Sequence, residues 1–261
     1  MKTHVLFKVI TIALTLLVAL CIASLAILLI FGAKDDIFVK NDPVIAPPSS
    51  TDSPKLEKTV DYGQSYINSM VFLCDKSMSE IKSAAVLKDG ENTKQIWSGK
   101  DGDLSLDFKT STAHIVFPYT DKELSIPNAL KETMPEYMVI TLGINNGIRC
   151  SDEKFKEYYG KLIATIKETA PTTKIILQSI FPVSKNYEKN NAGVSLDKIN
   201  EANELIVDLA KLYGVRYLDT ASILKDSKGY LKSEYDSGNG LSLNADGYNT
   251  VLDYIRTHGY K

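Results

Sequence analysis

The stretch "VFLCDKSMSE", residues 71–80, places four side chains capable of chemistry at the end of an apolar run: Cys74, Asp75, Lys76 and Ser77. A buried strand that ends in small polar residues before a helix is a common position for a nucleophile in α/β enzymes. Such a nucleophile needs a base within hydrogen-bond reach, an acid that orients the base, and donors aimed at the developing oxyanion. Other loops must therefore supply these partners.

Bases of the usual kind are scarce, because the chain has three histidines. His4 precedes the first long apolar segment, His114 lies inside a predicted strand, and His258 lies beyond the last predicted helical turns. None of the three follows the carboxyl end of a predicted strand. A serine or cysteine activated by histidine is therefore not expected.

Five short apolar segments predict the strands that position these residues. They are rich in β-branched and aromatic residues and lack polar alternation, which is typical of strands covered on both faces. The segments are residues 69–75, 113–119, 137–143, 173–181 and 215–221.

Amphipathic segments between the strands predict helices over residues 153–168 and 196–213, and a last helix that begins after Asn244 as its N-cap. Alternating strands and helices predict a parallel sheet with helices on both faces and right-handed crossovers. Ligands of such sheets bind at the carboxyl ends of the strands. We therefore expect a site where the loop after Cys74 meets the loops after the other strands.

The N-terminal part differs in kind from the rest. Residues 9–31 contain no charge, glycine or proline, and at 1.5 Å per residue they can cross a bilayer core of about 30 Å. They predict a transmembrane helix after a cytoplasmic stub, residues 1–8; a cleaved signal peptide, whose apolar region is normally about 7 to 15 residues, is the alternative. Residues 32–65 read as a Pro/Ser-rich spacer. Residues 66–261 would then form a domain outside the cytoplasm, on a single-pass membrane protein.

The charge pattern excludes one class of partner. Lys and Arg number 30 and Asp and Glu 32, for a net charge of −2, and the two signs are mixed along the chain. Nucleic-acid binding relies on a concentrated basic surface, so none is expected. No group of residues has metal-ligand spacing, so neither a metal nor another cofactor is expected.

Three blocks of the sequence are similar to those of the SGNH (GDSL-like) hydrolases: "VFLCDKS", "ITLGINNG" and "SGNGLSLNADGYNTVLDYIRTHGY". The resemblance runs from about residue 66 to the end, with the blocks in the expected order. The sequence resembles in particular the bacterial membrane-tethered members of the family. It implies a flavodoxin-like three-layer α/β/α sandwich with a parallel sheet, and ester hydrolysis as the ancestral activity.

The resemblance carries the catalytic roles onto positions whose residue types have changed. The nucleophilic serine of the family, which follows an aspartate matched by Asp75, falls on Lys76. The acid falls on Asn239 and the base on Ser242, whereas the oxyanion asparagine is retained as Asn145. The resemblance therefore implies a hydrolase fold without its nucleophile, acid and base.

Two further positions follow from this comparison. Ser77 is one residue past the nucleophile position, where a step into a helix rotates a side chain by about 100°. We expect Ser77 to cap the helix, with an active Ser77 and Lys76 pair as the alternative. The block that supplies a glycine donor in the family falls near Gly99 or Gly102.

The cysteines leave three interpretations open. Cys74 can be a small buried apolar residue, it can form a disulfide with Cys150 because the two loops are neighbours in this fold, or it can be a nucleophile. The last is the least favoured, because nothing but the helix terminus and Lys76 would lower the pKa of the thiol.

The sequence favours a catalytically degenerate envelope protein. Asp75, Lys76 and Asn145 would bind cell-envelope glycan or an anionic wall polymer, because helix N-termini favour anions. One alternative is an active esterase or O-deacetylase of surface polysaccharide that uses a non-standard constellation. Another is a docking or scaffold protein of the envelope, and the sequence indicates no particular protein partner.

Overall fold

The computed structural model describes residues 53–260. The predicted stub, the transmembrane helix of residues 9–31 and most of the spacer lie outside the described residues. Within residues 53–260, no helix has the length and apolar character that crossing a bilayer requires.

The described part of the chain alternates strands and helices. The strands are β1 (Met70–Cys74), β2 (Ile96–Trp97), β3 (His114–Phe117), β4 (Lys122–Ser125), β5 (Tyr137–Thr141), β6 (Lys174–Gln178) and β7 (Arg216–Leu218). The α-helices are α1 (Gly63–Asn68), α2 (Lys76–Ser79), α3 (Ile126–Thr133), α4 (Asp152–Thr169), α5 (Lys185–Asn190), α6 (Leu196–Tyr213), α7 (Ala221–Leu224) and α8 (Ala245–Arg256).

The central sheet has the order β2-β1-β5-β6-β7, and every pair in it is parallel. In chain order, its five strands follow the 2-1-3-4-5 order of flavodoxin-like sheets. The strand order reverses between β1 and β5, so the carboxyl ends of these two strands form the switch point where ligands bind in such folds. The predicted parallel α/β architecture is confirmed.

One predicted strand of the parallel sheet lies elsewhere. Residues 114–117 form β3, which pairs antiparallel with β4 in a separate two-stranded sheet. Ile115 and Phe117 are buried, whereas His114 is exposed and Val116 is half-buried, as in a strand covered more fully on one face. The remaining parallel strand is β2, whose two residues, Ile96 and Trp97, are too few to show a periodic pattern.

The helices cover both faces of the sheet. On one face α3, α4 and α6 pack against the side chains of Val71 and Leu73 from β1. On the other face α1 and α8 pack against Phe72 and Cys74 from the same strand. Because successive side chains of a strand point to opposite faces, burial on both sides requires the continuous apolar runs seen in the sequence.

The packed domain begins before residue 66, within the segment that the sequence assigned to the spacer. The backbone carbonyl of Tyr217 in β7 accepts a hydrogen bond from the Leu56 N–H at 2.8 Å. The backbone N–H of Tyr217 donates to the Pro54 carbonyl at 2.9 Å. Leu56 is 2% exposed, and the ammonium of Lys55 lies 2.8 Å from a carboxylate oxygen of Asp219. Residues 54–56 therefore extend the β7 edge of the sheet.

Candidate functional site

Asp75 joins the two strand ends at the switch point. It is 1% exposed and is the N-cap of α2. Its Oδ1 accepts hydrogen bonds from the Ser77 N–H at 3.1 Å and the Ser77 hydroxyl at 2.7 Å. Its Oδ2 accepts from the N–H groups of Gly143 at 3.1 Å and Ile144 at 3.2 Å, directly after β5. Asp75 is therefore a brace between two loops and is not open to a ligand.

Burial sets the protonation of Asp75. Removal from water disfavours the carboxylate and raises the pKa of Asp75 to about 6, although its hydrogen bonds with Ser77, Ile144 and Gly143 act in the opposite direction. The carboxyl group at this brace thus titrates closer to neutral pH than an exposed aspartate does.

Lys76 occupies the first position of α2 and carries its charge at the surface. Its ammonium lies 3.1 Å from Glu80 Oε1, one turn along the helix, and donates to the Asp101 carbonyl at 3.2 Å. The Lys76 side chain is 44% exposed. The residue that the resemblance matches to the family's nucleophile is therefore a cation held between α2 and the loop after β2.

Ser77 points into the protein. It is 1% exposed, and both its backbone N–H and its hydroxyl donate to Asp75. The capping acceptor of α2 is therefore Asp75, and Ser77 is its donor; the expectation that Ser77 itself caps the helix is corrected in this respect.

The amide of Asn145 is already engaged. Its Nδ2 donates to Asp103 Oδ1 at 2.5 Å and to the Ser105 hydroxyl at 2.8 Å. An amide nitrogen has two hydrogens, so both donors of Asn145 have partners within the protein. An incoming oxyanion would have to displace Asp103 or Ser105 to reach them.

The last of the three sequence blocks contacts α2. Ser242 is fully buried, and its hydroxyl donates to the Lys76 carbonyl at 3.3 Å. Asn239 is exposed, and its Oδ1 accepts the N–H groups of Leu241 and Ser242, each at 2.8 Å. The positions matched to nucleophile and base are thus in contact, whereas the side chain at the acid position closes its own loop.

The glycine loop after β2 lies against α2. The Gly102 N–H donates to the Gly99 carbonyl at 3.1 Å, so it is not free for an oxyanion. Gly102 has φ +75°, and a Cβ there would lie 2.6 Å from the Ser79 hydroxyl oxygen. Only glycine fits this approach without displacement of α2.

A cleft of about 240 Å³ opens between these loops. Sequence reasoning missed five of its lining residues, Asp103, Ile144, Arg149, Tyr187 and Leu241. Arg149 follows Asn145 by four residues on the same loop, a spacing that could have been noticed. Tyr187 lies in α5, and Leu241 lies between Asn239 and Ser242 in the last block. Neither residue type indicates a site by itself, and both meet the cleft only after folding.

The pKa of the Tyr187 phenol depends on the charges around the cleft. Burial raises the pKa of Tyr187; Arg149 lowers it, and the carboxylates of Asp75 and Asp103 raise it. The cleft therefore presents cations from Lys76 and Arg149 and one carboxylate from Asp103 around a phenol.

Cys74 and Cys150 are both free thiols, so the disulfide considered from the sequence is not formed. The side chain of Cys74 lies in the core on the α8 face of the sheet. Cys150 lines a small pocket with Phe155 and Ala202 on the α4 and α6 face. The two loops are neighbours, but their thiols lie on opposite faces. Desolvation raises the pKa of the Cys74 thiol well above its ordinary value, with a further increase from Asp75, which opposes a nucleophilic role.

The described histidines lie away from the cleft. His114 is exposed at the start of β3. His258 follows α8, where its ring stacks on Tyr254 at 3.7 Å between centroids. Across residues 53–260 there is no cluster of His, Cys, Asp and Glu that could hold a metal ion.

Residues 87–249 match the model of the GDSL-like lipase/acylhydrolase family. The chain belongs to this family. The matched region contains Asn145, Asn239, Ser242 and the glycine loop, whereas β1 and Lys76 lie before residue 87, outside the match. No curated protein matches the sequence significantly.

Several solved structures are similar to this chain, and the first one described here shares its fold. A Streptococcus pneumonia protein provisionally described as a platelet activating factor has 19% identity and a TM-score of 0.50, covering 72% of this chain and 82% of its own. A GDSL-like lipase from Bacteroides thetaiotaomicron has 17% identity and a TM-score of 0.46, covering 72% and 85%. The periplasmic domain of a lipopolysaccharide acetyltransferase from Salmonella ser. Paratyphi A has 15% identity and a TM-score of 0.46, covering 71% and 81%.

Proposed function

We propose that this GDSL-like protein is catalytically degenerate and binds cell-envelope glycan or an anionic wall polymer in the cleft beside α2. In the same proposal, residues 9–31 anchor it in the cell membrane and the GDSL-like domain lies outside the cytoplasm. The observation that carries the proposal is the contact between Lys76 and Ser242, the residues at the positions matched to nucleophile and base.

The loss of chemistry follows from the residue types at this contact. Lys76 carries no hydroxyl that could act as a nucleophile. Ser242 has no imidazole that could accept a proton, and its hydroxyl donates to a backbone carbonyl. Asn239 is neutral and uses its side-chain oxygen on backbone N–H groups. Loss of one member of a catalytic triad costs several powers of ten in rate, and here three are replaced.

Binding is supported by the charges that remain. Lys76 and Arg149 line the cleft with two cations, and Asp103 contributes one carboxylate. Glu80 already pairs with Lys76, so Arg149 is the cation best placed to hold an anionic group by charge-assisted hydrogen bonds. An anion that displaced Asp103 from Asn145 would also gain the amide donors.

An active esterase that uses Ser77 is the alternative function. The buried Ser77 hydroxyl, bonded to Asp75, argues against it because a nucleophile must reach a substrate. A purely structural docking role is a further alternative, and it predicts that the cleft binds no small anion.

A hydrolysis assay separates the first two functions. We expect the full-length protein in detergent to leave the hydrolysis rate of p-nitrophenyl acetate at the background value. The Ser77→Ala variant should give the same rate. Enzymatic turnover by the unmodified protein that disappears in Ser77→Ala would refute the degenerate function.

Restoration of the family residues tests the alignment. The triple variant Lys76→Ser, Asn239→Asp, Ser242→His should gain esterase activity, whereas the matched double variant without Ser242→His should not. Ser242 is fully buried, so a larger ring there strains the core by about 1 to 3 kcal/mol, and circular dichroism must show that the triple variant is folded. A folded but inert triple variant would contradict the assigned positions.

Calorimetric titration with glycerol 3-phosphate tests the anion site. Loss of a charge-assisted hydrogen bond costs about 1.5 to 3 kcal/mol, so Arg149→Met should weaken binding roughly tenfold or more. Lys211→Met is the matched control, because it removes one exposed positive charge on α6 away from the cleft. Equal binding by both variants would exclude the cleft as the anion site.

Protease protection tests the membrane part of the proposal. Protease added to intact cells should digest the domain of residues 53–260, and the protein should remain in the membrane fraction after alkaline extraction. A fully protected or fully extracted protein would contradict the proposed topology or anchor.

A further inference from the structure

A second cavity, of about 330 Å³, lies at the other end of the sheet from the cleft. Its wall includes Met70, the first residue of β1, whereas Asp75 follows the last residue of that strand. The length of β1 places the two sites roughly 16 Å apart along the strand. We call it the amino-end cavity; the other wall residues used below are Lys88, Lys94, Gln95 and Tyr119. Its volume is within the usual range for small-ligand sites, about 300 to 1,000 Å³.

Gln95 gives this cavity an unpaired hydrogen-bond acceptor. The side chain is more than nine-tenths buried, at 7% exposure. Its Nε2 donates to the carbonyls of Ile67 at 2.6 Å and Met70 at 2.9 Å. Both partners can only accept, so they determine which end of the amide is nitrogen. The opposite end, Oε1, is buried and has no partner among the described residues.

An acceptor of this kind calls for a donor from outside the chain. Buried polar atoms in folded proteins are almost always paired with protein, water or ligand. Gln95 is part of the cavity wall, but Oε1 itself exposes almost no surface, so a donor that enters the cavity reaches this oxygen only when the amide group moves towards it. A ligand that supplies this donor must carry an O–H or N–H group, which a phosphodiester or a carboxylate lacks.

The remaining wall groups suit a sugar. Lys88 and Lys94 are exposed at the cavity and offer ammonium donors, and Lys94 also donates to the Pro118 carbonyl. Tyr119 is 54% exposed, and its ring packs on Phe117 with 5.1 Å between centroids. An exposed ring braced from behind offers a flat apolar face, and sugar hydroxyls both donate and accept.

We propose that the amino-end cavity binds one sugar residue, with a hydroxyl or amide N–H donating to Gln95 Oε1 and a sugar face resting on Tyr119. This site goes beyond the proposed anion cleft, because it shares none of that cleft's residues. It takes a neutral polyhydroxyl group where the cleft takes an anion.

The test observes Gln95 directly. The chain contains three glutamines, Gln64, Gln95 and Gln178, so labelling with ¹³Cδ-glutamine yields three side-chain carbonyl signals. The full-length protein in detergent is titrated with the β-linked trimer of N-acetylglucosamine. We expect the Gln95 signal to move saturably. The Gln178 signal should stay, because both ends of that buried amide are bonded, to Thr141 and Thr220.

A pair of exposed aromatics supplies the matched variants. Tyr119→Ala should weaken binding of the trimer roughly three- to tenfold through the lost ring contact. Phe108→Ala, which removes an aromatic side chain with 65% exposure outside the cavity wall, should not. Neither substitution changes the buried amide, and both side chains are exposed, so we expect both variants to fold.

Three results would overturn the inference. An unmoved Gln95 signal at saturating trimer would mean that water serves the amide oxygen. Equal affinity of the Tyr119→Ala and Phe108→Ala proteins would exclude the aromatic contact. Loss of trimer binding in Arg149→Met, with Tyr119→Ala unaffected, would assign the sugar to the cleft and leave the proposed function standing.

Discussion

Replacement of Asp75 by Asn tests the balance of forces at the brace beneath the cleft. The carboxyl group is buried, which favours its neutral form, yet it accepts hydrogen bonds from Ser77, Gly143 and Ile144, which favour its ionised form. The pKa of about 6, above the ordinary 3.8, means that burial outweighs the hydrogen bonds.

The sign and size of the effect follow by linkage. Between about pH 4 and pH 6 the folded protein holds a proton on Asp75 that the unfolded chain has released, so the contribution of Asp75 to stability is fully present below pH 3.8 and is lost as the pH rises through about 6. The difference between 3.8 and about 6 corresponds to roughly 3 kcal/mol. Asn cannot ionise, and it resembles the neutral acid in shape.

Urea denaturation of both proteins at pH 4, 5, 6 and 7 measures this. We expect the free energy of unfolding of the Asp75→Asn protein, minus that of the unmodified protein, to increase by roughly 2 to 2.5 kcal/mol between pH 4 and pH 7, because a small part of the roughly 3 kcal/mol is already lost at pH 4. The subtraction removes the pH dependence that comes from the other carboxyl groups, because both proteins share them. A difference that falls with rising pH would refute the reasoning, because it would mean that the hydrogen bonds hold the pKa of Asp75 below its ordinary value.

Three more predictions concern single residues. Asp103→Asn removes the carboxylate that repels an anion in the cleft, so calorimetry should show glycerol 3-phosphate binding roughly two- to fivefold more tightly, and weaker binding would contradict this role of Asp103. Cys150 is partly exposed and Cys74 is fully buried, so peptide mapping after brief thiol labelling should find Cys150 modified first; equal labelling of the native protein would contradict the placement of Cys74. Leu56→Ala should lower the free energy of unfolding by about 2 to 5 kcal/mol, whereas Val60→Ala, at a side chain with 77% exposure, should change it by less than about 0.5 kcal/mol; similar effects at both positions would show that the segment is not packed.

Much of the frame could be predicted because its signals are local. Strands β1, β5, β6 and β7 fall within four of the five predicted apolar segments, since burial on both faces requires unbroken apolar runs. The helix ends were also predictable: the side chain of Asn244 caps α8 by accepting the Gly247 N–H at 3.0 Å, and Gly214 ends α6 with φ +61°.

The prediction of the parallel sheet was wrong for one segment, because the choice of a neighbouring strand depends on residues outside the segment. Residues 113–119 are as apolar as a core strand, yet β3 pairs with β4. The parallel position beside β1 belongs to β2, which is two residues long. Neighbour choice is a tertiary property, because the same apolar side chains can be covered by a helix, by another strand or by a hairpin.

For the candidate site, the sequence by itself determined which residue types stand at the positions that the resemblance matches to the family's catalytic residues: Lys76, Asn239 and Ser242 for nucleophile, acid and base, and Asn145 for the oxyanion donor. Tertiary structure decided what those residues can do. It placed Asp103 on the Asn145 amide, brought Arg149 and Tyr187 to the same cleft, and separated the Cys74 thiol from that of Cys150 by the thickness of the sheet. The reason is physical: a residue type is a property of one position, whereas a hydrogen bond, a cleft or a sheet face depends on where distant segments meet after packing.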